Sequence, residues 1–452
     1  MAFSSPQDAL AAGIGMVHQH FMLVEPFTVL DNVVLGVEGG FLLRAGLARA
    51  RAELARLARE YHLEVDPDAR VADLGVGQRQ RVEILKALYR GAEILILDEP
   101  TAVLTPQEAD HLFEILRSLR RLGKTVVLIT HKLREIRDVT DVVTVMRQGR
   151  VVATRPTAET TVEGLAELMV GRAVALRVDK APSRPGEPVL EVTDLVVEDG
   201  RGVRRVKGVS FGVRRGEIVG VAGVAGNGQS ELVETLSGIR PAASGRIHWK
   251  GQELADVEPR SPRDWRWRGL GHVPEDRQRM GLVVAFAARE SAILGYHRDD
   301  AYNGTIRLHG SAVAASWTRQ AAEYDIRPAD GRRPASAFSG GNQQKIVLAR
   351  ELDRHPDLLL VGQPTRGVDI GAIEFIHRRL VALRDAGTAL LVVSVELDEI
   401  LALADRILVM HDGRIVGEIP AAGADERRLG LMMAGLAERP SRPGSLATTG
   451  VE

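Results

Sequence analysis

Apolar residues in this chain gather into short unbroken runs rather than an alternating pattern, and the runs recur. Ile94 to Leu97, Val126 to Ile129, Ile218 to Ala222, Leu358 to Val361 and Leu390 to Val393 have the length and composition of strands buried on both faces of a parallel sheet. Between the last two, Ile370 to Asp385 has a helical pattern, as in a βαβ unit. Ile218 to Ala222 leads through a glycine-rich loop into Leu232, Val233 and Leu236 at helical spacing. The fold class is therefore α/β with a central, mostly parallel sheet. The Ala-rich stretch between Ala285 and Arg333 predicts an inserted helical subdomain.

The pattern is written twice. Asp98, Glu99, Pro100 and Thr101 end one apolar run; Gly362, Gln363, Pro364 and Thr365 end another, 264 positions later. The same offset pairs Gly77 with Gly341, His131 with Val395 and Gly149 with Gly413. The chain thus holds two copies of one fold, and a length of 452 residues is itself too great for a single core. Residues 1–171 are assigned to the first domain, the Pro- and charge-rich 172–188 to a linker, 189–437 to the second domain, and 438–452, which lacks periodicity, to a disordered tail.

The first copy is expected to be incomplete. Ser5 to Asp8 matches Ser261 to Asp264, so Met1 aligns with Val257, whereas the second copy begins near Val189, about 68 residues earlier. That block holds the first strands and the phosphate loop. A sheet lacking it exposes strand edges and a bare core face, so a start codon inside the gene, or a fragment, is the expected explanation.

Bulk composition removes several classes of function. With 59 basic and 60 acidic residues and a net charge of -1, there is no basic footprint for nucleic acid. The absence of cysteine excludes disulfides and thiolate metal sites. The longest apolar runs, such as Thr388 to Val395, fall far short of the roughly 20 residues of a membrane helix. The N-terminus lacks the basic start and apolar stretch of a signal peptide.

The candidate chemistry is that of a nucleotide site. Gly223, Gly226, Asn227, Gly228, Gln229 and Ser230 form a glycine loop between strand and helix, where backbone N–H groups cradle phosphates and a serine hydroxyl can reach Mg²⁺. None of the seven lysines lies in a glycine-rich loop, and Gln229 stands where a phosphate-binding lysine is expected. At the end of its strand Asp98 can hold Mg²⁺ through its water shell, and Glu99 can orient an attacking water as general base. His18 and His20 flank Gln19, but alternation points them to opposite faces of an extended segment, against a dedicated metal site.

The series GQRQRVEIL, ILILDEPTAVLT, VVLITHKL and FSGGNQQKIVLAREL resembles the signature, Walker B and switch motifs of ATP-binding cassette (ABC) proteins, and the pairing in one chain resembles the duplicated ATPase subunits of bacterial importers for simple sugars and nucleosides. The resemblance implies two P-loop domains with helical subdomains, facing head to tail, each ATP sandwiched between the phosphate loop of one and the signature of the other. It implies that His131 contacts the γ-phosphate and that Gln19 touches Mg²⁺ and reports nucleotide state to a permease. It also implies integral-membrane permease subunits, an extracytoplasmic substrate-binding lipoprotein reached indirectly, a peripheral location on the cytoplasmic membrane face, and no contact with the cargo.

The two copies differ within these motifs. The first signature, Leu74 to Gln78, keeps Gly77 and Gln78 but loses a serine and a glycine; the second keeps Ser339, Gly340 and Gly341. Gly362, Gln363 and Val395 together remove the metal carboxylate, the base and the switch histidine. Glu275, in a Pro-Glu-Asp-Arg sequence like that of the sugar and nucleoside group, aligns with Gln19. One hydrolytic and one binding-only site is the expectation, with little hydrolysis by the 452-residue chain itself. Sugar-type members usually keep an acidic DEPT in both copies, whereas the second copy here reads GQPT, and GMVHQHFMLVEPFTVLDNV resembles the nucleoside-type group, so the resemblance favours nucleosides over sugars as cargo. The rival readings are a soluble tandem cassette acting on ribosomes or DNA, which dismantling of one Walker B disfavours, and a non-hydrolysing fragment.

Overall fold

The computed structural model describes residues 3–18, 21–37, 43–101, 104, 106–147, 149–173, 178–253, 261–304 and 307–436. Gln19 and the tail expected from Glu438 lie outside the described residues. The chain divides into two units, Met1–Val174 and Ala175–Glu452.

In the first unit β1 (Ile14–Val17), β2 (Ile94–Asp98) and β3 (Thr125–Ile129) pair in parallel in that order, with Leu97 opposite Leu128 and Asp98 opposite Ile129. Leu95 and Leu97 point into a core shared with Val82, Ile84, Leu85 and Leu88 of the helix Val76–Tyr89 and with Leu112, Leu116 and Leu119 of the helix Pro106–Arg121. A separate antiparallel ribbon follows, β4 (Val142–Arg147) with β5 (Arg150–Pro156).

The second unit opens with β6 (Pro188–Glu198) and β7 (Arg204–Arg214), then β8 (Ile218–Gly223), β9 (Ser244–Trp249) and β10 (Gln252–Glu253). Strands β10, β9, β6 and β7 form an antiparallel sheet in that order. The larger sheet adds β11 (Leu270–Val273), β12 (Leu358–Gly362), β13 (Ala389–Ser394), β14 (Arg406–His411) and β15 (Arg414–Pro420), in the order β11-β12-β13-β8-β14-β15, with only the last pair antiparallel.

The difference between the sheets follows from β8. It lies between β13 and β14, and its neighbours β6, β7 and the helix Gln229–Leu236 cover Leu358, Leu360, Leu391 and Val393. Both faces are then buried, which is why these strands read as continuous apolar runs. Their counterparts 264 residues earlier are Ile94, Ile96, Val127 and Ile129, and there Val127 is 45% and Ile129 48% exposed. Burial in β3 consequently alternates, although its sequence does not.

Two stretches differ from expectation. Between Ala285 and Arg333 the helices are Ala288–Ser291 and Gly310–Glu323. Gly295 takes φ 87°, and Asp299 caps a turn by accepting from the N–H of Ala301, so the helix cannot run through. The stretch assigned to the linker is partly docked on the second unit: Lys180 Nζ donates to the Leu403 carbonyl at 2.8 Å and Arg384 Nη2 to the Ala181 carbonyl at 2.9 Å. Arg384 is itself buried and paired with Asp405 at 2.8 Å.

Strand β11, which leads to Glu275, is fixed by a buried polar cluster. Glu351 accepts from the backbone N–H of His272 at 3.3 Å, from Tyr296 Oη at 2.8 Å and from Arg350 Nε at 2.8 Å, while Arg350 Nη1 donates to the Gly281 carbonyl at 2.6 Å. Burial pulls the His272 imidazole down from 6.5 to about 4, the nearby Glu351 charge opposing only in part. The folded form thus holds a neutral ring while the unfolded chain protonates first. Stability from this residue is complete above pH 6.5 and is lost as pH falls toward 4, by roughly 3 kcal/mol in all. Replacing His272 by Met, the residue at the matching position 16, is expected to flatten that part of the curve, as measured by denaturant titration of both proteins at pH 7 and pH 4.5.

Candidate nucleotide site

Parallel pairing of β2 with β3 sets the geometry in the first unit. The chain leaves β2 at Glu99 with φ 45°, a left-handed turn secured by the bond from Glu99 N–H to the Ile129 carbonyl at 2.9 Å. The turn sends the Glu99 side chain toward the end of β3, where its Oε1 lies 2.8 Å from His131 Nδ1. Both side chains are 24% exposed, so the pair is accessible from one side. The hydrogen bond from His131 holds the Glu99 carboxyl below its ordinary range, against the opposing effect of burial and with help from the His131 and Lys132 charges.

Neighbouring contacts brace the turn. Gln80, buried on the helix Val76–Tyr89, donates to the Pro100 carbonyl at 2.7 Å, and Thr101 Oγ1 bonds to Glu135. Asp98 ends β2 beside Ile129 and is half-buried. The same helix anchors the segment that follows Gln19: Glu83 accepts from the Met22 N–H at 2.6 Å, and Lys86 donates to the Met22 carbonyl at 2.9 Å.

The helix Val76–Tyr89 carries the first signature at its start. Gln78 Oε1 accepts from the Gly75 N–H at 3.2 Å, so that side chain caps its own helix. A Cβ on Gly75 would meet nothing closer than Gln78 Oε1 at 3.9 Å; packing does not forbid a serine there. A Cβ on Gly77 would lie 2.8 Å from Glu108 Oε1. In the second signature Ser339 is exposed and Gly340 begins the helix Gly340–Leu352. A Cβ on Gly340 would fall 2.5 Å from Arg277 Nη2 and 2.6 Å from the Gly367 carbonyl, whereas the first copy has Phe21 at the position of Arg277 and accepts Val76.

The glycine loop of the second unit joins β8 to the helix Gln229–Leu236. Gly226 and Gly228 take φ 88° and 96°, and a Cβ on Gly223 would lie 2.8 Å from the Met410 carbonyl. Asn227 Oδ1 accepts from the Asp412 N–H at 3.1 Å, fixing the loop to the end of β14. Gln229 is buried and donates to the Val224 carbonyl at 3.1 Å, so its amide lines the loop from inside. Ser230 is exposed and donates to Glu275 Oε2 at 2.7 Å, and Arg366 Nη1 lies 3.4 Å from Glu275 Oε1.

At the end of β12 the turn is repeated without its chemistry. Gln363 takes φ 48° and bonds through its N–H to the Val393 carbonyl at 2.7 Å, but its Oε1 accepts from the Val395 backbone N–H at 3.3 Å. The structure therefore brings together Glu99 with His131 in the first unit, and Ser230 with Glu275 in the second. Sequence reading passed over Arg366; its signal was the alanine at the matching position 102. Among the described residues no group of three acidic, histidine or cysteine side chains could hold a metal without help from a ligand.

The profile of the family described as "ABC transporter" matches residues 4–102 and 206–366. The nucleoside import ATP-binding protein NupA of Lactococcus lactis subsp. cremoris is 48% identical over 431 residues, covering 95% of this chain and 85% of that protein. The guanosine import ATP-binding protein NupO of Bacillus subtilis is 46% identical over 436 residues, covering 96% and 85%. The ribose import ATP-binding protein RbsA of Chromobacterium violaceum is 40% identical over 429 residues, covering 94% and 83%.

If the His131 contact holds the Glu99 carboxyl ionised, His131→Ala raises the pH at which Glu99 takes up its proton. The carbon-13 carboxyl shift of Glu99, followed through an acid titration, is expected to move its midpoint upward; an unchanged midpoint means that the pair contributes nothing.

Proposed function

The chain belongs to the ABC transporter family, and from that premise we propose that it hydrolyses ATP to energise import of nucleosides, with the two units chemically unequal. The observation that carries the inequality is the pair of strand-end turns: Glu99 Oε1 meets an imidazole at 2.8 Å, while Gln363 Oε1 meets only a backbone N–H at 3.3 Å.

Each residue of the first turn has a role that its chemistry allows. The Glu99 carboxylate, kept ionised, orients the attacking water and accepts its proton; His131 fixes that carboxylate and offers a donor to the γ-phosphate. Asp98 and Gln19 serve the Mg²⁺ water shell, and Mg²⁺, when bound with ATP, neutralises charge on the transferring phosphoryl group. Residues 1–98 contain no glycine-rich phosphate loop to complete this site.

The second unit has a cradle and no base. Its glycine loop and helix start offer backbone N–H groups to phosphates, and Ser230 offers an oxygen to the metal. Loss of the lysine cation at 229 weakens phosphate binding, since charge-assisted hydrogen bonds are about twice as strong as neutral ones. ATP is held there and not cleaved.

Passage of the cargo falls to separate integral-membrane permease subunits, in keeping with the import ATP-binding proteins this chain is similar to. The chain works at the cytoplasmic membrane face, with a substrate-binding lipoprotein delivering cargo on the other side. Nucleosides are favoured over simple sugars because the relatives named for nucleoside and guanosine import are more similar to this chain than the one named for ribose.

Uptake of labelled nucleosides and pentoses by cells carrying Glu99→Gln in the chromosomal gene tests the reading. Removing a general base costs typically 10²-fold or more, so nucleoside uptake is expected to fall by at least about 100-fold, while Gln363→Ala leaves it near the unaltered level. Persistent uptake with Glu99→Gln would sink the assignment of the base, and loss of pentose uptake alone would make the cargo a sugar.

A further inference from the structure

The second signature carries a contact that the first has no use for. Ser339 stands at the start of the helix Gly340–Leu352 with the backbone angles of a cap, φ -61° and ψ 159°, but its hydroxyl caps nothing. A serine in that place ordinarily accepts from the second or third N–H of its helix. Here Oγ accepts instead from Asn342 Nδ2 at 2.9 Å. The other end of the amide fixes which atom faces the serine. Asn342 Oδ1 accepts from the Arg327 backbone N–H at 2.8 Å, and of the two amide atoms only the oxygen can accept.

A hydroxyl has one proton. With Asn342 donating to its oxygen, Ser339 keeps that proton for a different acceptor, and the residue is exposed. The matching pair in the first copy is Gly75 and Gln78. There no hydroxyl exists, and Gln78 Oε1 accepts from the Gly75 N–H at 3.2 Å. Position 78 thus presents an acceptor where position 342 presents a donor, and only the copy with a serine needs the donor.

The backbone beneath the serine is held from the other side. Arg277 donates from Nη1 to the Arg366 carbonyl at 2.6 Å and from Nη2 to the Gly367 carbonyl at 3.3 Å, and a Cβ on Gly340 would lie 2.5 Å from that Nη2. Gln278 Nε2 donates to Gln343 Oε1 at 3.1 Å, tying the loop after β11 to the same helix. With the helix start pinned, the freedom left to Ser339 is rotation of its hydroxyl, and Asn342 governs it.

We infer that Asn342 is the positioning residue of the second signature: it holds Ser339 as a hydrogen-bond donor for an anionic oxygen, such as that of a phosphate. This rests on the reading that the chain hydrolyses ATP and that Ser339 takes part. Asn342 acts through the serine alone.

Single-turnover release of labelled phosphate, from an assembled transporter whose first unit carries a phosphate loop, tests this. The unaltered chain is compared with Ser339→Ala, Asn342→Asp and the double variant. Aspartate keeps the acceptor for Arg327 and replaces the donor by a second acceptor, which draws the Ser339 proton inward. Removing a donor to a reacting group costs about 100-fold, the expected effect of Ser339→Ala. Turning the hydroxyl out against a hydrogen bond to a charged group costs about tenfold, the expected effect of Asn342→Asp. In the Ser339→Ala background Asn342→Asp is expected to slow release by less than about twofold, because its target is gone.

An equal loss from Asn342→Asp in the Ser339→Ala background overturns the proposal, because aspartate would then act by repelling phosphate or by loosening the fold. No loss in Asn342→Asp beside the expected loss in Ser339→Ala also overturns it. Unchanged release in Ser339→Ala removes the reading of the serine and the proposal with it.

Discussion

Parallel pairing of β2 with β3, and of β12 with β13, brings residues 32 positions apart into contact, and the rest of the site depends on it. In the first unit it sets Glu99 beside His131, and in the second Gln363 beside Val395. The contact requires a left-handed residue directly after the strand, at φ 45° and 48°, a conformation that costs a non-glycine residue of order 1 kcal/mol. Both copies bear that cost, and only the first sets a carboxylate against an imidazole across the turn. The turn is thus a property of the shared fold, and the chemistry is a matter of which side chains stand on it.

Around that constraint the two units have diverged in complementary ways. The first retains the carboxylates of Asp98 and Glu99 and the imidazole of His131, and its helix Val76–Tyr89 links the strand-end turn to the segment after Gln19 through Gln80, Glu83 and Lys86. The second retains the glycine loop, with backbone angles that other residues reach only under strain, and a signature in which close packing by Arg277 still requires glycine at 340.

Much of this was legible because buried parallel strands write themselves as unbroken apolar runs. The helix Ile370–Asp385 and the strands around Leu358, Leu390 and Ile218 lie where the pattern puts them, and the repeat offset exposed the losses at Gly362, Gln363 and Val395. What escaped depended on contacts between distant residues. Nothing local says that the Gln229 amide turns back to the Val224 carbonyl, or that Glu275 reaches Ser230 across 45 positions. Lys180 read as linker because charge and proline surround it, yet Asp405 and the carbonyls beside it fix it to the second unit. The Ala-rich region looked helical throughout because alanine outweighed the glycine and aspartate that interrupt it.

The central claim is that base and binding-only cradle are divided between the two units. A single-turnover count of phosphate released and ATP retained per chain, in an assembled transporter whose first unit carries a phosphate loop, tests it most directly. The account predicts one phosphate released and one ATP retained uncleaved for each chain. Two phosphates per chain, or release that persists with Glu99→Gln, would contradict it.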